Sequence, residues 1–219
     1  MDLFIQELRR AEGILFDYNG TLSDDERILE EAYGTALVDM GLEGLAPGEY
    51  DSLVGLSDPD IAERILLERG SRDIDEMIQR LSSAYASAIE QRPTISSLTV
   101  QFVQRLRFEG KELAIVTGTF RQLMQRGLDA AGLSELGNRS VAIEDVKAGK
   151  PDPEGFLLGA RKIGVELEKI VGFEDSRAGV EALRAAGIQA VGIGPHLRNE
   201  DGLLAHFETM DHAAQAYTH

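Results

Sequence analysis

GILFDYNGT, residues 13–21, decides how the rest of the chain is read. Ile14, Leu15 and Phe16 form a short apolar run that stops at Asp17, after which Tyr18-Asn19-Gly20-Thr21 turns polar. Apolar residues at consecutive rather than alternate positions mark a strand buried on both faces of a parallel sheet. Open α/β sheets bind ligands outside the carboxyl ends of their strands, which is where Asp17 falls.

The same texture returns downstream: LAIV before Thr117, VAI at 141–143, IVGF before Glu174 and IQAVGI at 188–193. Helix-like stretches at 98–107, 121–131, 153–163 and 178–186 separate these runs. Strand alternating with helix predicts an α/β fold, a doubly wound parallel sheet with right-handed crossovers. Residues 22–91 differ: they show helical periodicity at 28–40, 61–67 and 74–89, broken by Gly41, Gly44, Pro47, Gly48 and Gly70. They are expected to form a helical domain inserted after the first strand, with 1–21 and 92–219 as the core. The tail, 206–219, has room for one more short strand and helix.

Bulk composition narrows the function. With 219 residues, 43% of them hydrophobic and 27% charged, the chain reads as globular, with one core or a core plus one insertion. It contains no cysteine, so thiolate chemistry is excluded and a reducing compartment, the cytoplasm, is expected. MDLFIQELRRAEG lacks the basic and apolar regions of a secretory signal, and no apolar run reaches transmembrane length. A net charge of −16 opposes binding to nucleic acid or an anionic membrane. An anionic substrate therefore needs a local positive site, such as a metal cation with one or two lysines. The sequence does not identify the oligomeric state, and a monomer is plausible.

The residues placed at the strand ends are of distinct chemical types. They are the carboxylate of Asp17, Thr117-Gly118-Thr119, Lys150 within Gly149-Lys150-Pro151-Asp152-Pro153, and the pair Glu174-Asp175. A carboxylate attacks phosphorus in line when a metal offsets the repulsion between two anions. A hard cation such as Mg²⁺ takes oxygen ligands, which Asp17, Asp175 and a backbone carbonyl can provide. Lysine brings a compact charge to a phosphoryl oxygen, and a threonine hydroxyl with backbone N–H groups holds another. Each motif alone has an ordinary reading as a turn, a strand-to-loop junction, a loop or a helix cap. Their order and shared position after apolar strands outweigh those readings.

FDYNGTLSD, IVTGT, GKPDP and GFEDSRAG together resemble the four signatures of the haloacid dehalogenase superfamily with a helical cap of its first type. GKPDPEGFLLGARKIGV and FEDSRAGVEALRAAGI resemble the flanking helices, so the likeness spans nearly the whole chain. The resemblance implies a Rossmann-like core of strand order 3-2-1-4-5 with the cap closing over it. It implies an Mg²⁺-dependent hydrolase of a small phosphorylated metabolite that forms an aspartyl-phosphate. Asp17 is then the nucleophile, Thr117, Gly118 and Lys150 bind phosphate, and Asp17, Asp175 and the backbone carbonyl of Asn19 bind Mg²⁺, with Glu174 supporting them.

One position departs from that pattern. The family's phosphatases carry an aspartate two residues after the nucleophile, as general acid and then base, where this chain has Asn19. A carboxamide has no titratable proton, and losing such a group slows catalysis by roughly 10²–10⁴-fold. Three explanations stand: an introduced change, a natural variant with slow or different chemistry, or a stand-in such as Asp24 or Asp25.

Other chemistries of the family fit less well. Schiff-base phosphonate cleavage needs a lysine in the cap, yet the first lysine of the chain is Lys111. Dehalogenation of 2-haloacids needs no acid at position 19, but Thr117-Gly118-Thr119 and Glu174-Asp175 depart from that subfamily. A hexose-phosphate mutase needs a cap cation where this chain has Asp58, which suggests an acidic loop facing a hydroxylated or cationic distal group. A non-catalytic phosphate-binding protein would be supported by Asn19 alone.

Overall fold

The computed structural model describes residues 2–198, 200 and 202–218. Its centre is β1 (Gly13–Phe16), all four residues of which are buried. β1 pairs in parallel with β2 (Glu112–Ile115) on one side and with β3 (Ile170–Glu174) on the other. β4 (Gln189–Ile193) and β5 (Ala205–Phe207) extend the sheet beyond β3, again in parallel. Among the described residues the order is β2-β1-β3-β4-β5.

The period of two along the strands divides their side chains between two apolar layers. Ile14, Phe16, Leu113, Ile115, Val171 and Phe173 face one layer. α1 (Asp2–Arg10), α5 (Ser97–Phe108) and α9 (Met210–Thr218) cover it. Phe173 is its hub, stacked on Phe16 with ring centres 5.2 Å apart and edge-on to Phe4 and Phe102. Leu15, Ala114, Val116 and Ala190 face the other layer. There they meet α7 (Glu154–Ile163) and α8 (Arg177–Ala185). Burying one aromatic side chain of this size contributes about 1.5–3 kcal/mol.

Two expectations are corrected in detail. VAI at 141–143 is no strand: Val141 makes a single parallel bridge to Val116, and Ile143–Asp145 is a 3₁₀ turn. A polar side chain takes the backbone there, since Asp145 accepts the Ala142 N–H at 3.1 Å. The expected order 3-2-1-4-5 thus keeps its inner run, while its outer position beside β2 is held by one residue. The tail does form a strand and a helix, β5 and α9. The amphipathic helix α1 was not anticipated; it is closed at its C-terminus by Lys111, whose ammonium donates to the carbonyls of Arg9 and Ala11.

Between β1 and α5 lie α2 (Glu26–Asp39), α3 (Asp58–Glu68) and α4 (Ile74–Gln91). Ser57 caps α3 and Asp73 caps α4, each side chain accepting a first-turn N–H. Leu29, Tyr33, Ile65, Leu81 and Tyr85 build an apolar cluster of their own. Phe120 and Leu123, at the start of α6 (Arg121–Ala130), belong to that cluster. Met124 and Leu128, one turn further along α6, belong to the sheet layer. No helix among the described residues is long and apolar enough to cross a membrane.

Candidate active site

The carboxyl ends of β1, β2 and β3 bring Asp17, Thr117 and Glu174-Asp175 to one rim, and the loop before α7 adds Lys150. The Lys150 ammonium donates to Asp17 Oδ1 and to Glu174 Oε1. It lies 5.3 Å from the ring centre of Phe156, close enough for the ring face to attract its charge. Burial works against that charge, but Asp17 and Glu174 hold Lys150 above the ordinary lysine value. Burial pushes the Asp17 carboxyl up to about 7, against the pull of Lys150.

Glu174 is wholly buried and its second oxygen is also engaged. Oε2 accepts the Ser176 N–H at 2.8 Å and the Ser176 hydroxyl at 2.9 Å. Asp175 Oδ1 accepts the Thr21 hydroxyl at 3.3 Å. Its other oxygen is packed against Gly20, where a Cβ would fall 2.2 Å from it and φ is +71°. Only glycine meets both demands of this turn. One oxygen from each of Asp17, Glu174 and Asp175 lies within 4.8 Å of the others, so three carboxylates face a single ammonium. Burial, then Glu174 and Asp17, push Asp175 well above the ordinary carboxylate value. A divalent cation among the three would reverse that trend.

Thr117 is buried beside them, and its Oγ1 accepts the Thr119 N–H at 3.1 Å. The Gly118 carbonyl accepts the N–H of Asp58, at the start of α3, at 3.0 Å. Asp58 is not a free charge on an acidic loop. It is buried, and its carboxylate accepts the Thr119 hydroxyl, the Phe120 N–H at 3.1 Å and the Tyr33 hydroxyl at 3.4 Å. Burial pushes its carboxyl up to about 6. Ser57-Asp58-Pro59-Asp60 reads as a helix start, which marks this loop as ordered but not its partners at 119 and 120.

Asn19 turns its Nδ2 to Asp25 Oδ2 at 3.0 Å. The same Asp25 oxygen accepts the Tyr85 hydroxyl of α4 at 2.6 Å, while Asp25 Oδ1 is buried with no hydrogen-bond partner. Burial pushes the Asp25 carboxyl up to about 7. Tyr18 is packed: its hydroxyl lies 3.5 Å from that of Tyr85 and against Gly127 of α6. The two chain crossings at 20–23 and 92–94 are tied together, with the Ser23 hydroxyl donating to Thr94 Oγ1 at 2.8 Å and the Asp24 N–H to the Thr94 carbonyl at 2.9 Å.

A parallel sheet with three carboxylates and a lysine gathered at the ends of its strands is an arrangement suited to a hydrolase. A model of the haloacid dehalogenase-like hydrolases matches residues 11–187, and the chain belongs to that family. Fructose-1-phosphate phosphatase YqaB of Escherichia coli (strain K12) is 30% identical over 84% of this chain and 97% of that protein. A phosphorylated carbohydrates phosphatase of Thermotoga maritima is 27% identical over 82% of this chain and 83% of its own length. The crystal structure of CbbY from Rhodobacter sphaeroides in complex with phosphate has the same fold. Its TM-score is 0.78 at 22% identity, over 92% of this chain and 95% of that one.

Proposed function

We propose that the protein is an Mg²⁺-dependent phosphoric monoester hydrolase of the cytoplasm, acting on a small phosphorylated sugar or polyol through an aspartyl-phosphate on Asp17. The observation that carries this reading is Lys150 bound between Asp17 and Glu174, with Asp175 alongside. The relatives' phosphorylated-carbohydrate substrates give the substrate class.

The donor set fits Mg²⁺, because the cluster offers only carboxylate oxygens and its negative charge exceeds that of Lys150. Asp17, Asp175 and the backbone carbonyl of Asn19 would hold the ion. Glu174, occupied by Lys150 and Ser176, supports the shell. When bound, the ion offsets the repulsion between the Asp17 carboxylate and the phosphoryl oxygens.

Asp17 attacks phosphorus in line as the ester P–O bond breaks. Lys150, the Thr117 hydroxyl and the Gly118 N–H hold the phosphoryl oxygens. The departing alkoxide takes its proton from water, since Asn19 has none to give. A water then attacks phosphorus and gives its proton to solvent, the P–O bond to the Asp17 carboxylate breaks, and Asp17 is restored. Both halves proceed without a general acid–base at position 19, a loss of roughly 10²–10⁴-fold. Residues 22–91 act as a cap that excludes water during the first half, hinging at 20–23 and 92–94.

Phosphate release from hexose, pentose and hexitol monophosphates, with and without Mg²⁺, tests this reading. Release that requires both Mg²⁺ and Asp17, with phosphate covalently bound to Asp17 in the intact mass, is expected. Release undiminished in Asp17→Asn, or none from either the wild-type chain or Asn19→Asp, refutes it.

A further inference from the structure

Asp25 stands at the N-terminal cap of α2, where a carboxylate ordinarily accepts an N–H of its own helix. Its side chain caps nothing there. It turns away to Asn19 and Tyr85, and it leaves Oδ1 buried and unpartnered. Both the forgone cap and the unmatched oxygen destabilise the fold. An aspartate in this position is therefore explained by what it holds, which is Tyr85 of α4 and the residue two after the nucleophile.

The bond also sets which end of Asn19 faces outward. Asp25 Oδ2, which already accepts the Tyr85 hydroxyl, also accepts the amide NH₂, so the amide carbonyl oxygen is left on the opposite side. We infer that Asp25 is a positioning residue for Asn19, fixing its carboxamide with the NH₂ turned inward and the carbonyl oxygen presented to the reacting water or alcohol. Carboxylate and carboxamide form one complementary pair, with the carboxylate six residues downstream of the rim. This inference rests on the hydrolase reading for the identity of the reacting hydroxyl, but the pairing itself does not.

The pairing predicts that Asn19→Asp alone is a poor repair, because it sets a second carboxylate against Asp25 at a 3.0 Å contact. Exchanging both residues, Asn19→Asp with Asp25→Asn, keeps one carboxylate and one carboxamide and moves the carboxylate to the rim. Four proteins are compared: the wild-type chain, each single variant and the exchanged pair. Thermal melting without Mg²⁺ and steady-state phosphate release with it are the two readouts.

The exchanged pair is expected to melt at least about 3 °C above the sum of the single shifts. It is expected to release phosphate about 100-fold faster than the wild-type chain, while Asn19→Asp alone gains about tenfold. Asp25→Asn alone lowers kcat by about tenfold with KM unchanged, the mark of lost positioning rather than lost binding. If Asn19→Asp fails to fold and the exchanged pair folds, the coupling is upheld. Additive melting shifts, or an exchanged pair that fails to fold alongside Asn19→Asp, overturn the inference. Coupled melting with no phosphate released by any of the four proteins upholds the pair and refutes the hydrolase reading instead.

Discussion

Asp58 provides a test of how the helical segment is fastened to the sheet. Its buried carboxylate receives Thr119, Phe120 and Tyr33, yet burial outweighs these donors and raises its pKa from 3.8 to about 6. At about 1.36 kcal/mol per pH unit, that displacement is worth about 3 kcal/mol. The folded chain binds this proton more tightly than the unfolded chain. The stabilisation is therefore fully present below pH 3.8 and is lost as pH rises through about 6. Asp58→Asn keeps the shape and removes the titration, and the other carboxylates cancel when the two proteins are compared. Urea unfolding in the absence of divalent metal, from about pH 4 to about pH 7.5, should show the wild-type chain losing about 2–3 kcal/mol relative to Asp58→Asn. A difference that stays flat with pH, or that moves in favour of the wild-type chain as pH rises, refutes the assignment of a buried, raised carboxyl at this position.

Two further substitutions probe the rim and its support. Lys150→Gln leaves Asp17, Glu174 and Asp175 without their ammonium. It should reduce phosphate release by about 10²–10³-fold and lower the melting temperature in metal-free buffer, both read in parallel with the wild-type chain. Gly127→Ala places a Cβ 1.7 Å from the Tyr18 hydroxyl, and the overpacking should cost about 1–3 kcal/mol in urea unfolding. Adding Tyr18→Phe removes the atom in conflict and should recover most of that loss.

The frame of the fold was legible because buried parallel strands need consecutive apolar residues. ILF, LAIV, IVGF and IQAVGI are therefore conspicuous between amphipathic stretches. Helix ends fell close to the expected ones, as with Ser97–Phe108 against 98–107, because caps and glycines are local signals. VAI misled because a side chain, that of Asp145, takes the Ala142 N–H, which a count of apolar residues ignores. Asp17, Thr117, Glu174 and Asp175 could be placed at one rim from their positions after strands, and Lys150 joins them although the run before it is no strand. The partnership of Asn19 with Asp25 and Tyr85 could not, since Tyr85 comes from a helix 60 residues further along the chain than Asp25. Asp58 looked like an exposed loop charge for the same reason, because its donors Thr119 and Phe120 belong to a distant turn.

The division of α6 between two apolar clusters carries a mechanical consequence. Phe120 and Leu123 are keyed into α2–α4, while Met124 and Leu128 are keyed into the sheet. The helix is thus a beam shared by both bodies, and a motion that lifted α2–α4 away would strip Phe120 and Leu123 of their neighbours. Wetting two side chains of that size opposes such a motion by about 3–6 kcal/mol. Set against thermal energy, that leaves the separated arrangement as a minor population of well under about one in a hundred. Any movement at 20–23 and 92–94 would therefore have to keep the first turn of α6 seated against α2–α4. A graft of a foreign helical segment onto this sheet would need the first turn of α6 to travel with it.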